Sequence, residues 1–391
     1  MRKSYKYRLY PNKKQREVIN RILETCRWLY NHFLAERRDK YEKEQKRISY
    51  THQQNSLPNL KETNSKLQGI YSQVLQDVAQ RVKKAFQGFF LRLRNKTEKA
   101  GYPRFKSFGR YDSFTHSQNN GSYKLEQGQL RLANVGKVNI RLHRELLGEI
   151  KTCSILVKNG KYYACFSCEV EPKPLPKTGK NLGIDMGLTS FLTTSNGDLK
   201  EAPKNYRKVE KELAKAQRKV SQRAKGSKRR KKAVRILAVK HEKVANQRKD
   251  LAHKLSRELV KNYDLIAHEK LQVKNMVKNR YLAKSINDAG WNLFLTILTY
   301  KVEETGKQIV EVEARNTSQI CNQCGKKRKE KLKLNQRIFK CSHCDYKDNR
   351  DINAARNILK RAELRINGND FNKSRQRLET SLQGTVSLEA V

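Results

Sequence analysis

The chain has no run of 18 apolar residues, so no membrane-spanning helix is expected. Its first residues, MRKSYKYRLYP, lack the apolar stretch of a secretory signal, which points to an intracellular protein. Acids are scarce as well: 38 Asp+Glu stand against 86 Lys+Arg in 391 residues, a formal net charge of +48. Such an excess repels itself in the compact state and attracts polyanions, so ribosomal proteins and nucleic-acid enzymes are the classes it fits. The basic residues are spread along the whole length with no apolar anchor beside them, which disfavours a membrane-surface role. In an intracellular setting the eight cysteines read as thiols and metal ligands, not disulfides.

The length leaves room for two or three domains of roughly 100–200 residues. Tyr5, Tyr7 and Leu9 alternate with Lys6 and Arg8, which predicts a strand ended by Pro11. Helical stripes follow: Val18, Ile22, Leu29 and Phe33, then Val78, Val82, Phe86, Phe89 and Leu93, with a polar connection at about 45–70. Cys26 falls on the first stripe and reads as a buried thiol. From GYPRFKSFGRYDSF onward the period becomes strand-like, with turn signals at Gln127-Gly128, Asn134 to Gly136 and Asn159-Gly160. Residues 1–12 and 100–171 are therefore expected to form one β domain, with helices over 13–99 inserted between its strands. The Pro-rich stretch 172–180 reads as a linker.

The second half, 181–368, changes rhythm. A strand carrying Asp185 turns through Gly187 into a second strand and an Asn196-Gly197 hairpin. Residues 204–257 read as a basic helical hairpin. A buried-type strand then ends at Glu269, AKSINDAGWNLFLTILTYKVEETG gives one helix, and QIVEVEA another strand. A last helix starts at Asp351. This order predicts an α/β domain of RNase H-like type, within a multidomain α+β protein. The polar tail, 369–391, is expected to be disordered.

Cys321 and Cys324 are followed after sixteen residues by Cys341 and Cys344. Four thiolates at this spacing suit one tetrahedral zinc ion, with Zn–S near ~2.3 Å and no open position for catalysis. Residues 315–348 thus read as a zinc ribbon. CFSC at 165–168 has the same spacing, but side chains three apart on a strand face opposite ways and cannot chelate one ion without a distortion.

Three acids call for an explanation. Asp185 sits among Leu182, Ile184 and Met186 on an apparently interior strand, where a carboxylate is costly unless cations or donors meet it. Glu269 ends another such strand. Asp351 could simply be a helix N-cap. Gathered at one edge on a cationic surface, the three suit a pair of Mg2+ ions acting in phosphodiester hydrolysis. A calcium site or a structural salt-bridge cluster is the rival reading.

The segments YKYRLYPNKKQ, CRWLYN, YPRFKS, LGIDMG, SKRRKKA, HEKVANQRKDLAHKLS, DAGW, RNTSQICNQCG and RDINAARNIL together resemble the TnpB family, insertion-sequence-encoded relatives of type V CRISPR effectors. The resemblance covers about residues 1–362. It implies an N-terminal wedge-type β-barrel with a helical recognition insertion, then a RuvC-type nuclease domain with an inserted zinc ribbon. It also implies an RNA-guided DNA endonuclease, cytoplasmic and nucleoid-associated in a prokaryote. By the same resemblance the catalytic, Mg2+-binding acids are Asp185, Glu269 and Asp351. Asp348 is the alternative third acid, because NRD stands here where DRD is common in the family. The implied partners are a guide RNA from the transposon end and double-stranded target DNA beside a short flanking motif, one protein copy per RNA being favoured. Candidate nucleic-acid contacts are Tyr102, Arg104, Phe105 and Lys106, with aromatics positioned to stack, and Lys225, Lys228, Arg229, Arg230, Lys231 and Lys232. The second group has a plain alternative as a solvated basic helix face. An RNA-guided DNA binder without cleavage, a transposase or its accessory factor, and a zinc-ribbon RNA-binding protein remain the other function classes.

Overall fold

The computed structural model describes residues 1–95, 100–119, 121–201, 205–330, 332 and 336–367. The expectation of a disordered tail at 369–391 lies outside them. The chain divides into two compact units at Glu171/Pro172.

In the first unit, β1 (Arg2–Tyr10) buries Tyr5, Tyr7 and Leu9 and turns Lys6 outward, the two-residue alternation of a half-buried strand. Asn12 then starts α1 (Lys13–Glu44) through a reciprocal cap: its side chain accepts from the Gln15 N–H at 2.9 Å, and Gln15 Oε1 accepts from the Asn12 N–H at 3.0 Å. Ile22, Cys26, Leu29 and Phe33 form the buried stripe of α1, and burial pushes the Cys26 thiol up to about 12. Residues 45–70 are not a plain connection, as the sequence suggested, but hold α2 (Tyr50–Asn55), α3 (Leu57–Thr63) and α4 (Ser65–Gln68). Their start signals are local: Ser49 and Asn64 accept capping N–H bonds and Pro58 sits in the first turn of α3. Such helices are too short to show a period. In α5 (Ser72–Asn95) Val78, Val82 and Phe86 are buried, whereas Leu93 is exposed.

Six more strands follow: β2 (Ser113–His116), β3 (Tyr123–Glu126), β4 (Gln129–Leu132), β5 (Gly136–Arg141), β6 (Glu149–Lys158) and β7 (Lys161–Glu169). With β1 they form an antiparallel sheet in the order β2-β6-β7-β1-β5-β4-β3. Asn159 and Gly160 both take positive φ in the two-residue turn between β6 and β7, which matches the twist of the flanking strands. The sheet curls until His116 on β2 meets Tyr123 on β3, ring centroids 6.2 Å apart, although among the described residues no ladder joins those two strands. It is a half-barrel. On β7 Cys168 is buried with Tyr162, Ala164 and Phe166, while Cys165 alternates to the other face.

In the second unit, residues 172–180 are a linker only in composition. The N–H groups of Thr178 and Gly179 donate to the Asp264 carboxylate at 2.8 and 2.7 Å, and the buried Lys307 ammonium pairs with it. Lys307 and these donors draw Asp264 down to about 2. Then come β8 (Asn181–Asp185), β9 (Ser190–Thr194), β10 (Leu199–Glu201), α6 (Asn205–Ser221), α7 (Lys228–Asn262) and β11 (Leu265–Glu269). They are followed by α8 (Val273–Met276), α9 (Ala283–Ala289), α10 (Trp291–Thr305), β12 (Gln308–Val312), β13 (Ile338–Lys340), β14 (Lys347–Asn349) and α11 (Arg350–Asn367). The expected single helix at 283–305 is broken: Gly290, at φ +70, ends α9 and opens α10. Beside the break, buried Asp288 accepts from Arg248 of α7 at 2.7 Å and from the Tyr206 N–H at 3.0 Å, which ties both arms of the basic hairpin to α9.

The five-stranded sheet has the order β10-β9-β8-β11-β12. β8, β11 and β12 run parallel, and β9 and β10 join as antiparallel neighbours. Leu182, Ile184 and Ile266 pack on one face with Leu255 and Leu259 of α7 and Phe294 and Leu298 of α10. Ala267 and Val312 meet Ile358 and Ala362 of α11 on the other. A parallel sheet covered on both faces reads as near-continuous apolar runs, so the acids at its strand ends stand out.

Candidate active site and metal centre

Strand register brings the first two acids together. β8 and β11 are parallel with Ile184 opposite His268, so Asp185 and Glu269 occupy the next matched position, on strands ~4.8 Å apart and on the same face. The third acid arrives on α11, which runs antiparallel to β8. Asn181 Nδ2 donates to Glu363 Oε1 at 3.0 Å, and a Cβ on Gly183 would lie 2.1 Å from the Ala355 carbonyl oxygen. Only glycine permits that approach. One helical turn before Ala355, on the same stripe, is Asp351, and two residues beyond Gly183 is Asp185. Burial first, then the Glu269 and Asp351 carboxylates, push the Asp185 carboxyl up to about 8, with Arg350 and the Met186 N–H acting against them. Burial also raises Glu269, partly offset by the Thr317 hydroxyl at 3.4 Å.

Asp351 is not the N-cap of α11. The helix begins at Arg350, and Asn349 Oδ1 accepts from the Asp351 N–H at 2.8 Å, so the capping role belongs to Asn349 and the Asp351 carboxylate is left over. Arg337 meets that carboxylate at 3.4 Å and donates to the Thr189 hydroxyl at 2.7 Å. Asp348, by contrast, is engaged by Arg356 at 2.6 Å and the Tyr346 hydroxyl at 2.8 Å.

The four cysteine sulfurs 321, 324, 341 and 344 lie within 4.8 Å of one another. Cys321 and Cys344 approach to 3.7 Å, and Cys324 and Cys341 to 3.6 Å. Sulfurs around a tetrahedral ion with ~2.3 Å bonds stand roughly 3.8 Å apart, so the residues fit one such ion. The His343 N–H stands 3.3 Å from the Cys341 sulfur, a donor that supports a thiolate there.

Two residues that sequence reasoning missed join this cluster to the acids. The buried Asn353 accepts from the Asn322 N–H at 3.0 Å and donates to the Ile320 carbonyl at 2.8 Å. Asn357 donates to the carbonyls of Thr317 and Ile320 at 2.8 and 2.7 Å. Asn353 brackets Cys321 and Asn357 holds the turn just before it, and on α11 they stand two and six residues beyond Asp351. The available signal was NAARN itself: two asparagines four apart share a helix face that such poor helix formers rarely occupy without a partner.

The candidate nucleic-acid residues divide. Lys225, Lys228, Arg229, Lys231 and Lys232 are exposed around the α6–α7 turn, but Arg230 donates to the carbonyls of Val220 and Arg223 and closes that turn. Tyr102, Arg104 and Phe105 are exposed, while the Lys106 backbone is clamped to α1 by Asn31 and Arg27.

Residues 165–280 match the family described as "Probable transposase", and residues 291–358 the one described as "Cas12f1-like, TNB domain". Residues 1–46 match a "Helix-turn-helix domain", although here they form one strand and one long helix. The chain is 34% identical to a Streptomyces pristinaespiralis protein named "Putative RNA-guided DNA endonuclease", over 92% of this chain and 89% of that one. The chain belongs to the TnpB family. A second TnpB-family relative, "Putative RNA-guided DNA endonuclease InsQ" of Escherichia coli K12, is 31% identical over 91% of each chain. Among solved structures, CasPhi-2 (Cas12j) bound to crRNA matches with a TM-score of 0.48 at 10% identity, covering 93% of this chain and 98% of that one.

Proposed function

We propose that this TnpB-family chain is an RNA-guided DNA endonuclease that binds a transposon-derived guide RNA and cuts complementary DNA beside a short flanking motif. The observation that carries the cleavage step is the in-register pair Asp185 and Glu269 with Asp351 brought across from α11, in a chain of net charge +48. The strand order of the five-stranded sheet supports reading the second unit as a RuvC-type, RNase H-like nuclease. The half-barrel with α1–α5 is read as the wedge domain and its helical insertion.

Asp185, Glu269 and Asp351 would hold two Mg2+ ions, which when bound supply Lewis-acid activation of water and of the leaving oxygen. The Asp185 carboxyl, raised to about 8 by burial and by Glu269 and Asp351, would have to be ionised to hold a cation. Arg337 holds Asp351 towards Thr189 and compensates its charge meanwhile. The four cysteines would hold one zinc ion with no chemical role. Through Asn353 and Asn357 that module fixes where α11 begins, and so where Asp351 stands.

The test is to express the gene with its native flanking DNA, sequence the RNA that co-purifies, and challenge the complex with a matching duplex. One discrete RNA ending in element-adjacent sequence, with Mg2+-dependent cleavage lost in Asp185→Ala, is the expected result. A smear of host RNA, or cleavage that survives the substitution, would overturn the proposal.

A further inference from the structure

Between α1, the segment that follows it and the second half of α5 lies a cavity of about 430 Å3, within the ~300–1,000 Å3 range of small-ligand sites. Aromatic rings build it. Tyr102 stands edge-on to Phe86 at 5.5 Å and to Phe89 at 5.4 Å, and Phe89 meets Phe90 at 5.2 Å. Phe90 and Tyr102 are nevertheless 47% and 43% exposed. Two cations share the walls: the Arg37 guanidinium lies 5.2 Å from the Phe86 centroid, and that of Arg47 5.7 Å from Phe90.

Arg37 is itself held in place, its Nε donating to Gln53 Oε1 at 2.8 Å. The occupant these walls favour therefore combines a flat face for Phe90 and Tyr102 with negative charge for Arg37 and Arg47. An aliphatic ligand would leave the cations uncompensated, and a bare phosphate would leave the rings uncovered. A nucleotide meets both demands.

We propose that this cavity receives one unpaired base of the bound RNA, stacked on the exposed rings with its phosphate near the Arg37 and Arg47 guanidinium groups. RNA is the source because its loops and bulges present splayed bases, which proteins read by aromatic stacking and edge hydrogen bonds. The proposal rests on the nucleic-acid reading above and adds to it a site within the helical insertion.

The probe is a short single-stranded oligouridylate bound to the purified full chain, read by ultraviolet cross-linking with peptide mapping and by affinity across a salt series. Cross-links are expected on the peptides carrying Phe90 and Tyr102. Phe90→Ala should weaken binding about tenfold, as loss of one stacked base does, at an unchanged salt slope because no charge is removed. Phe90→Trp should restore affinity, and both variants should melt with the parent, since Phe90 is half exposed. Unchanged affinity in Phe90→Ala with cross-links elsewhere would overturn the site. So would a Phe90→Ala effect confined to self-association, which would give the cavity to a second copy of the chain. The two proposals fail separately: oligouridylate cross-links at Phe90 without a discrete co-purified guide would remove the guided function and keep the site. A discrete guide with cleavage, and no cross-link there, would do the reverse.

Discussion

Burial favours the neutral form of ionisable groups both in the interior of the half-barrel and at the edge of the five-stranded sheet, but the company those groups keep differs. Inside the first, burial pushes the His116 ring down to about 4 and raises the thiols of Cys153 and Cys168, so each group is neutral near pH 7. At the edge of the second, burial falls on carboxylates, and Asp185 is raised to about 8 by its surroundings and by Glu269 and Asp351. Desolvation discharges an isolated group at little further cost, but acids gathered in one place oppose each other's ionisation and remain ready to take cations. A scaffold and a proposed reaction site can thus share one physical penalty and differ in whether like groups share it.

The sharpest way to break that comparison is Asp185→Ala. Cleavage should fall roughly 10^3-fold or more, because metal-assisted catalysis is worth several kcal/mol, while guide RNA binding persists. Retained cleavage would reduce the acid cluster to a structural feature. Next in size is Cys341→Ser. With a proposed zinc ligand gone, cleavage should drop about 10–100-fold, as when groups that orient a site are removed. Hydrogen exchange should quicken across 315–350 while the half-barrel stays protected. Equal exchange in both regions would disconnect the cysteine module from α11.

Smaller effects sharpen the same contrast. Unfolded, Asp185 loses its proton near its ordinary value; folded and metal-free, it keeps it up to about 8. Between roughly pH 4 and 8 the folded state therefore binds the extra proton, and Asp185 lowers stability as pH rises, by at most about 1.4 kcal/mol per pH unit. Denaturant titrations of Asp185→Asn should lose that slope, and a variant with the parent's slope would assign it to other groups. Cys168→Ser should cost about 1 kcal/mol and leave zinc content at one equivalent. Loss of metal there would give the strand cysteines a role that their opposite faces deny them.

The two CxxC pairs explain why parts of this molecule were legible in its sequence. Cys165 and Cys168 sit on a strand whose alternation is plain from YYACFSCEVE, so their separation followed from period alone. Cys321, Cys324, Cys341 and Cys344 are carried by short turns, and their gathering followed from the chemistry of four thiols. Asp185 stood out because an acid in an apolar strand has no local reason to be there. What stayed hidden depends on pairing across the fold. The match of Asp185 with Glu269 is a property of register, and the nearness of Asp351 depends on the contact between Gly183 and Ala355. Arg337 reaches Asp351 from a part of the cysteine module with no periodicity to read. The helices at 45–70 and the break at Gly290 were missed because caps and positive φ act over one or two residues, below the length at which hydrophobic spacing speaks.

The docking of α11 on β8 also sets a clock. Asp185 leaves the ribosome early, and Asp351, its partner across the Gly183 contact, emerges later by roughly ten to thirty seconds at ~5–20 residues per second. Until then β8 has neither the helix that covers it nor the third acid at its end. A nascent chain therefore holds Asp185 and Glu269 before the third acid can join them, so the proposed site is completed only when the last helix has been made.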